Sequence, residues 1–159
     1  MNSATTRAYF GEVLLRVAGQ AFCAAGYALE ENPLQQAGGL FRFRADLADG
    51  LAGFIEFQVL AYVQTDYTPP QPSRFRIALT RTDQLSPAVP SAHPRFARRD
   101  LAALVVEDFG IAVLPSADYW WTFRDSAELG RALNEAGQLT IGFGIPWLAG
   151  ELTLPQHDV

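Results

Sequence analysis

The chain has 159 residues, of which 49% are hydrophobic and 18% are charged, and its formal net charge is −5 at pH 7. This length and composition fit one globular domain whose core needs no disulfide, so we expect residues 1–159 to form a single domain with 155–159 as a flexible tail. The negative charge argues against general binding to nucleic acids or to anionic membranes.

Two further features of the composition predict the cellular compartment and the chemistry. The chain lacks an apolar run of about 18 residues and lacks the N-terminal pattern of a signal peptide, so we expect a cytoplasmic protein. The single cysteine, Cys23, is predicted to be a buried apolar group of a helix rather than a nucleophile. No spacing of His, Cys and carboxylate residues fits a metal site, so we expect no metal and no other cofactor.

Every basic residue is an arginine, which excludes lysine Schiff-base chemistry and a phosphate loop that ends in Gly-Lys-Ser/Thr. An anion site in this chain would therefore use guanidinium groups, which keep their charge beside apolar surface. Ser91 and His93 lie near Asp83 and Asp100 in the sequence, but without the sequence context of a catalytic triad. The absence of nucleophile, metal and phosphate-loop signatures favours a binding protein over an enzyme.

The first predicted element is a helix over Thr6–Ala25, because apolar residues recur there at spacings of three and four. Gly26 is the expected stop. A short extended segment at Tyr27–Glu30 and a loop up to Gly39 follow.

Three strands come next. Leu40–Ala45 alternates apolar and polar residues, Asp49-Gly50 predicts a hairpin turn, and Ala52–Gln64 alternates over its whole length. After a proline-rich connection, Arg74–Arg81 alternates again. The three segments predict an antiparallel meander with one apolar face for helices to cover. The predicted inward residues are Phe41, Phe43, Ile55, Phe57, Val59, Phe75, Ile77 and Leu79.

The second half of the chain predicts another helix from Pro94 to Phe109, stopped by Gly110, and two short strands at Ile111–Leu114 and Tyr119–Phe123. The segment Arg95, Arg98 and Arg99 is interpreted as a solvated helix end.

Asp125 and Glu128 occupy the N-cap and N3 positions of a third helix, which Gly137 is expected to end. Within residues 138–154, the stretch Ile141–Ile145 alternates like a strand, but its glycines and Pro146 favour an irregular segment, with Trp147 and Leu148 docked against the body. Together these elements predict an α+β fold, with a mainly antiparallel, twisted sheet of four to six strands and about three helices packed chiefly on one face.

The outward face of the meander is the first candidate site. If the strand registers match, it carries Arg42, Arg44, Glu56, Gln58, Arg74 and Arg76. Guanidinium groups in this number indicate an anion-binding surface for a phosphate or carboxylate ligand or for an acidic partner. The alternative is a solvated face on which Glu56 relieves repulsion between arginines, since exposed ion pairs contribute only about 0–1 kcal/mol each.

Phe54, Leu60 and Tyr62 share this face, which is therefore partly apolar. We expect either the C-terminal segment or a second subunit to cover it. Trp120 and Trp121 point in opposite directions in a strand, so one is predicted in the core and the other on the second face or at the rim of a pocket. A tryptophan beside an arginine would bind a planar ligand, and the alternative is that both only seal the core.

Several short motifs follow one another in the chain: AAGY at the end of the first helix, then FRFR, EFQVL, RFRIALTR, WWTFRDSAELGRAL and IPWL. In this order they resemble an uncharacterised bacterial α+β domain family with some members near toxin-immunity or defence genes. The resemblance implies one α+β domain and no established activity, cofactor or catalytic residue. This sequence departs from the family's pattern where Gly142 and Gly144 interrupt the expected terminal helix.

We therefore expect a binding or interaction module, of an immunity-like kind, that acts through the Arg/Glu/aromatic sheet face. Its partner would be another protein, a second copy of the chain or a small anionic ligand. The alternative is a small-molecule-binding domain, for an anionic or planar ligand, with a pocket between the sheet and the Trp-rich C-terminal region.

Overall fold

The computed structural model describes residues 2–62 and 71–152. Helix α1, Ser3–Leu14, starts at Asn2, whose side chain accepts a hydrogen bond from the Thr5 backbone N–H. It continues through a π-helical stretch, Leu15–Gly19, into α2, Gln20–Ala24. The helix predicted over Thr6–Ala25 is confirmed, and it stops before Gly26, whose φ of 92° only glycine adopts at low cost.

The described residues form a six-stranded antiparallel sheet, which confirms the predicted α+β class. Its strands are β1 Ala28–Leu29, β2 Leu40–Asp46, β3 Ala52–Leu60, β4 Ser73–Thr82, β5 Ala97–Asp100 and β6 Trp121–Phe123. The order is β1-β2-β3-β4-β5, and β6 pairs with Ser73–Phe75 of β4 beside the β5 pairing at Ala78–Arg81.

The predicted meander is confirmed as β2, β3 and β4. Asp49 and Gly50 both have positive φ, 61° and 72°, in the turn between β2 and β3. Strand β3 ends at Leu60, earlier than predicted, and residues 63–64 of the predicted strand lie outside the described part of the chain.

Two stretches between the strands differ from the prediction. Residues expected to form a loop contain a short helix, α3, Pro33–Ala37, which Asn32 caps. The helix predicted from Pro94 is wrong over Ala97–Asp100, which is β5, because these residues complete the edge of β4 instead. The helix starts only at α4, Leu101–Ala103, and continues through a π-helical stretch, Leu104–Asp108.

The strand predicted at Ile111–Leu114 is also wrong, since this stretch is irregular and contains a turn. The C-terminal region differs more. Helix α5, Ser126–Leu139, passes through a π-helical stretch, Thr140–Gly144, into α6, Ile145–Leu148. The predictions that Gly137 ends the helix and that the stretch 141–145 is irregular are therefore wrong.

The helix continues through Gly137 and Gly144, and both glycines face neighbouring elements. A Cβ on Gly137 would lie 3.6 Å from the Ala18 Cβ of the first helix, and one on Gly144 would lie 3.2 Å from Leu79 Cδ1 of β4. At Gly144 the missing side chain lets the helix approach β4 closely, whereas at Gly137 an added Cβ would make only an ordinary van der Waals contact.

The helices cover one face of the sheet, and aromatic rings fill the space between them. The Phe10 ring centroid lies 5.1 Å from that of Phe75 and 5.5 Å from that of Phe41, and Phe22 packs edge-on against Phe43 at 5.0 Å. The predicted inward residues of the three strands are all buried, which confirms the assignment of the two faces.

Cys23 is exposed, so the prediction that it is buried is wrong. It follows the buried Phe22, and successive residues of a helix point about 100° apart. None of the helices in the described ranges combines the length and the apolarity required to span a bilayer. The predicted tail, 155–159, lies outside these ranges.

Candidate functional site

The face of the sheet opposite the helices, here called the outer face, carries the predicted polar residues. The strand register places Arg42 opposite Glu56, Gln58 opposite Arg76 and Leu60 opposite Arg74. The sequence prediction that these side chains share one face is therefore consistent with the observed register, since alternate residues of paired strands project on the same side.

Glu56 is the centre of the ion pairs on this face. Its Oε2 accepts hydrogen bonds from Arg42 Nε at 3.1 Å and Nη2 at 3.0 Å, and its Oε1 lies 3.9 Å from Arg98 Nη1. Arg42 also contacts Glu30 at 3.4 Å. With only 7% of its surface exposed, Glu56 is a buried counter-charge for Arg42 and Arg98, and it is not part of a solvated face.

Arg74 and Arg76 have a different environment. Their guanidinium carbons lie 4.4 Å and 4.8 Å from the centre of the Trp120 ring, within the range of cation–π attraction. Within the described residues neither forms an ion pair, and Arg74 Nε is buried without a hydrogen-bond acceptor. We call Arg74, Arg76 and Trp120 the arginine–tryptophan cluster.

A cleft of about 430 Å³ opens beside the cluster, a volume in the usual range for small-molecule sites. The residues that line it are Leu40, Arg42, Glu56, Gln58, Arg76, Ala78, Ala88, Arg98 and Asp100. A second cleft lies where the pocket between the sheet and the Trp-rich region was predicted, next to Trp120 and Tyr119, but its volume is only about 40 Å³. That space is too small for a drug-sized ligand.

The apolar residues of the outer face divide between its two ends. Phe54 is fully buried, with the Arg42 guanidinium 5.9 Å from its ring centre. The loop after β4 contains a buried Pro87 and places Ala88 in the cleft beside Arg42 and Glu56. At the other end Leu60 and Tyr62 remain 37% and 40% exposed.

Three of the predicted site residues, Arg44, Tyr62 and Trp121, belong neither to the cleft nor to the arginine–tryptophan cluster. Arg44 pairs with Asp46 at 2.9 Å on the exposed end of β2. Tyr62 follows the end of β3, where its backbone N–H donates to Ser73 Oγ at 3.4 Å.

Trp121 does not belong to a surface site, because strand alternation directs it into the core. Its ring stacks on Phe75 at 5.6 Å, and its Nε1 donates to Glu135 at 3.0 Å. The expectation that the two tryptophans point in opposite directions is confirmed.

The sequence reasoning missed Arg98 and Asp100, which β5 brings to the outer face. It assigned them to a helix, although their two-residue spacing would have indicated a shared face of a strand. The interpretation of Arg95, Arg98 and Arg99 as a solvated helix end is also wrong. Arg95 pairs with Asp49 at 2.9 Å. Arg99 binds Asp108 at 2.9 Å, a hydrogen bond that raises the pKa of Arg99.

Ser91 and His93 form a loop structure rather than a catalytic pair. Ser91 Oγ donates to Asp83 Oδ1 at 2.6 Å, which lowers the pKa of this exposed carboxyl, and accepts from the His93 backbone N–H at 3.1 Å. His93 Nδ1 accepts from the Arg95 backbone N–H at 3.0 Å, so the imidazole does not activate the serine. Within residues 2–62 and 71–152, no three His, Cys, Asp or Glu side chains are grouped to hold a metal ion.

Comparison of the chain with protein-family models, with curated proteins and with solved structures gave no match. The geometry of the outer face is therefore the basis for a functional proposal.

Proposed function

We propose that this protein is a binding module whose outer face binds an acidic segment of a partner protein. The observation that supports this is the arginine–tryptophan cluster. Arg74 and Arg76 lie against one indole ring beside an open cleft, and no carboxylate among the described residues pairs with either.

The chemistry of the cluster favours carboxylates. A guanidinium that lies against an aromatic face directs its N–H groups outward in its own plane, and in this arrangement it can bind a carboxylate with two parallel hydrogen bonds. The cluster also carries positive charge on a molecule whose net charge is −5, so its charge differs from that of the chain as a whole.

The surroundings of the cluster favour a protein over a small anion as the partner. Leu60 and Tyr62 are exposed at the same end of the outer face, and Leu60 is directly opposite Arg74 in the strand register. Arginine and aromatic side chains are enriched in the energetically important parts of interfaces. The immunity-like role suggested by the family resemblance, binding of a small protein to a toxin, is one such interaction and belongs to this proposal.

The proposal is tested with a fluorescent octaglutamate peptide and three proteins: wild type, Arg74→Gln/Arg76→Gln and the control Arg16→Gln/Arg131→Gln. The control removes the same charge from exposed positions on the helices. We expect fluorescence anisotropy to show binding that weakens with salt, is reduced about ten-fold or more in the cluster variant and is retained in the control. Equal binding by all three proteins, or none by wild type, contradicts the proposal.

The second candidate is a small anionic ligand in the cleft of about 430 Å³, which Arg76 and Arg98 both line. Calorimetric titration with inorganic phosphate and with benzoate distinguishes it from a protein partner. Binding of either anion that Arg98→Gln removes, together with no octaglutamate binding, would favour the small ligand. Self-association in sedimentation experiments that the cluster variant abolishes would instead identify a second copy as the partner.

A further inference from the structure

We infer that the cleft between α1 and α3 is a second binding site, for a small molecule with an elongated apolar body and one carboxylate. This site lies on the helical side of β2, away from the outer face. Its volume is about 480 Å³, in the range of ligand sites in proteins. Apart from Arg7, Glu12 and Gln36, all the residues that line it are apolar or glycine.

The shape of this cleft follows from small residues on α1. Ala4, Ala8, Gly11 and Leu15 recur at spacings of three and four, so they form one wall. The wall extends for about 16 Å at 1.5 Å per residue. Residues of α3 form the opposite wall, and Phe41 of β2 also lines the cleft.

Gly11 lets the helix approach this aromatic ring, because a Cβ at that position would lie 2.6 Å from Phe41 Cε1. Leu15 is 46% exposed at one end of the wall. A concave apolar surface of this size is characteristic of a binding site rather than of ordinary protein surface.

Arg7 supplies the polar contact that the proposed ligand would use. Its Nε is buried and has no hydrogen-bond acceptor among the described residues, and its stem lies against Gly39 at the start of β2. Arg7 forms no ion pair with any described residue, so a carboxylate at this end of the cleft would pair with its guanidinium group.

The other two polar residues set the orientation of the ligand. Glu12 is exposed and lies further along α1 toward Leu15, where it would repel a carboxylate. Gln36 uses its Nε2 to donate to the Glu30 carbonyl at 3.0 Å, so this donor is already engaged. The carboxylate therefore binds at Arg7 and the apolar body extends toward Leu15. Because the available donor is at one end only, a single-headed small molecule fits better than a protein segment.

The test is calorimetric titration of the full chain with dodecanoate, dodecan-1-ol and dodecyltrimethylammonium, each below its micelle concentration. We expect dodecanoate to bind about ten-fold or more tightly than the other two, because only the carboxylate pairs with Arg7. Arg7→Gln removes this preference and retains dodecan-1-ol binding. Ala8→Phe fills the cleft and removes binding of both, with circular dichroism to check that the variant is folded.

The matched control is Arg16→Gln, which removes the same charge from an exposed position of the same helix outside the cleft. It is expected to bind like wild type. The inference is overturned if the three compounds bind equally, if none binds, or if Arg16→Gln loses the preference as Arg7→Gln does. Self-association of the wild type that Ala8→Phe abolishes would assign the cleft to a second copy and overturn it as well. None of these results depends on the octaglutamate experiment.

Discussion

Tyr27 is a buried tyrosine whose hydroxyl has no hydrogen-bond partner among the described residues. Only 2% of its surface is exposed, and its hydroxyl packs against Gly53, where any side chain would collide with it. Burial disfavours the phenolate and raises the pKa of Tyr27 to about 12. This side chain therefore stabilises the fold by packing while its hydroxyl opposes burial.

The raised pKa of Tyr27 predicts alkaline destabilisation. Because the folded state holds the proton more tightly than the unfolded state, this contribution to the free energy of unfolding is present below pH 10 and is lost as the pH rises to about 12. The loss is about 2–3 kcal/mol. Tyr27→Phe is expected to remove it and to gain about 1 kcal/mol at neutral pH, since no hydroxyl is left unsatisfied.

Urea unfolding from pH 7 to pH 12 measures both effects. Tyr62→Phe, at an exposed side chain, is the control and should leave the free energy of unfolding at pH 7 unchanged. If Tyr27→Phe is destabilised at pH 7, the hydroxyl has a partner in solution and the argument is wrong.

The burial of individual side chains was predictable where the alternation of a strand determines which face they occupy. Strand alternation placed Phe57 in the core and separated Trp120 from Trp121, because each depends only on local geometry. The exposure of Cys23 was not predictable, since it depends on where along the helix the contact with the sheet ends. The lack of an acceptor for Arg7 Nε could not be predicted either, because it depends on how distant segments of the chain pack around this side chain.

Among the elements, α5 has the most clearly defined start. The Asp125 side chain accepts from the Glu128 N–H at 2.8 Å, and Glu128 Oε2 accepts from the Arg124 N–H at 2.7 Å. Two N–H groups at the helix start are therefore satisfied reciprocally, in the manner of a capping box.

Asp125→Ala is expected to lower the free energy of unfolding by about 1 kcal/mol, because the N–H of Glu128 loses its acceptor. Asp125→Asn keeps a side-chain acceptor at the same position and should lower the free energy of unfolding by only about 0.3 kcal/mol. Chemical unfolding monitored by circular dichroism compares the two. Equal losses in both variants would show that the charge, and not the cap, is what matters.

A side-chain cap predicted the start of α5, whereas glycine and proline did not predict where other helices end or begin. Asp125 and Glu128 carry a local signal, whereas Gly137 looked like a stop and instead packs beside Ala18. Similarly, Pro94 suggested a helix start, but the vacant edge of β4 favoured strand β5. Tertiary contacts overrode local preference in both cases, and neither contact is visible in a single segment.

At the scale of the whole molecule, Arg81 joins three distant segments. From β4, its Nε donates to the Arg95 carbonyl at 2.7 Å, and its Nη1 donates to the carbonyls of Trp147 and Leu148 at 3.0 Å and 3.2 Å. Its guanidinium also lies 5.7 Å from the Trp147 ring centre. A positive group at the C-terminal end of α6 is favourably placed with respect to the helix dipole.

Arg81→Met is expected to lower the free energy of unfolding by about 3 kcal/mol, since charged hydrogen bonds to the helix end are lost together. Arg81→Lys keeps the charge without the planar fork and should lie between Arg81→Met and wild type. Urea unfolding monitored by tryptophan fluorescence measures the order. A change below about 0.5 kcal/mol in Arg81→Met would mean that the three segments are held by apolar packing alone.

The arrangement of the whole sheet was predictable only in part. Alternation predicted that Arg42, Glu56, Gln58 and Arg76 share one face, whereas the pairing of Arg42 with Glu56 and of Gln58 with Arg76 depends on a strand register that the sequence left open. The clefts on either side of the sheet were not predictable, since their volumes depend on how loops and helices that are far apart in sequence pack together.

The edge strands of the sheet determine how this protein can associate with other chains. Strand β1 has two residues, and on the far side β5 and β6 divide the edge of β4 between them, with Arg76 and Ile77 left between the two pairings. An incoming extended chain would find no long continuous row of free amides and carbonyls along these described strands. Such interruptions discourage strand-by-strand polymerisation. Association with other molecules therefore relies on side-chain contacts rather than on added strands. Such contacts can be changed by single substitutions that leave the backbone hydrogen bonds of the sheet intact.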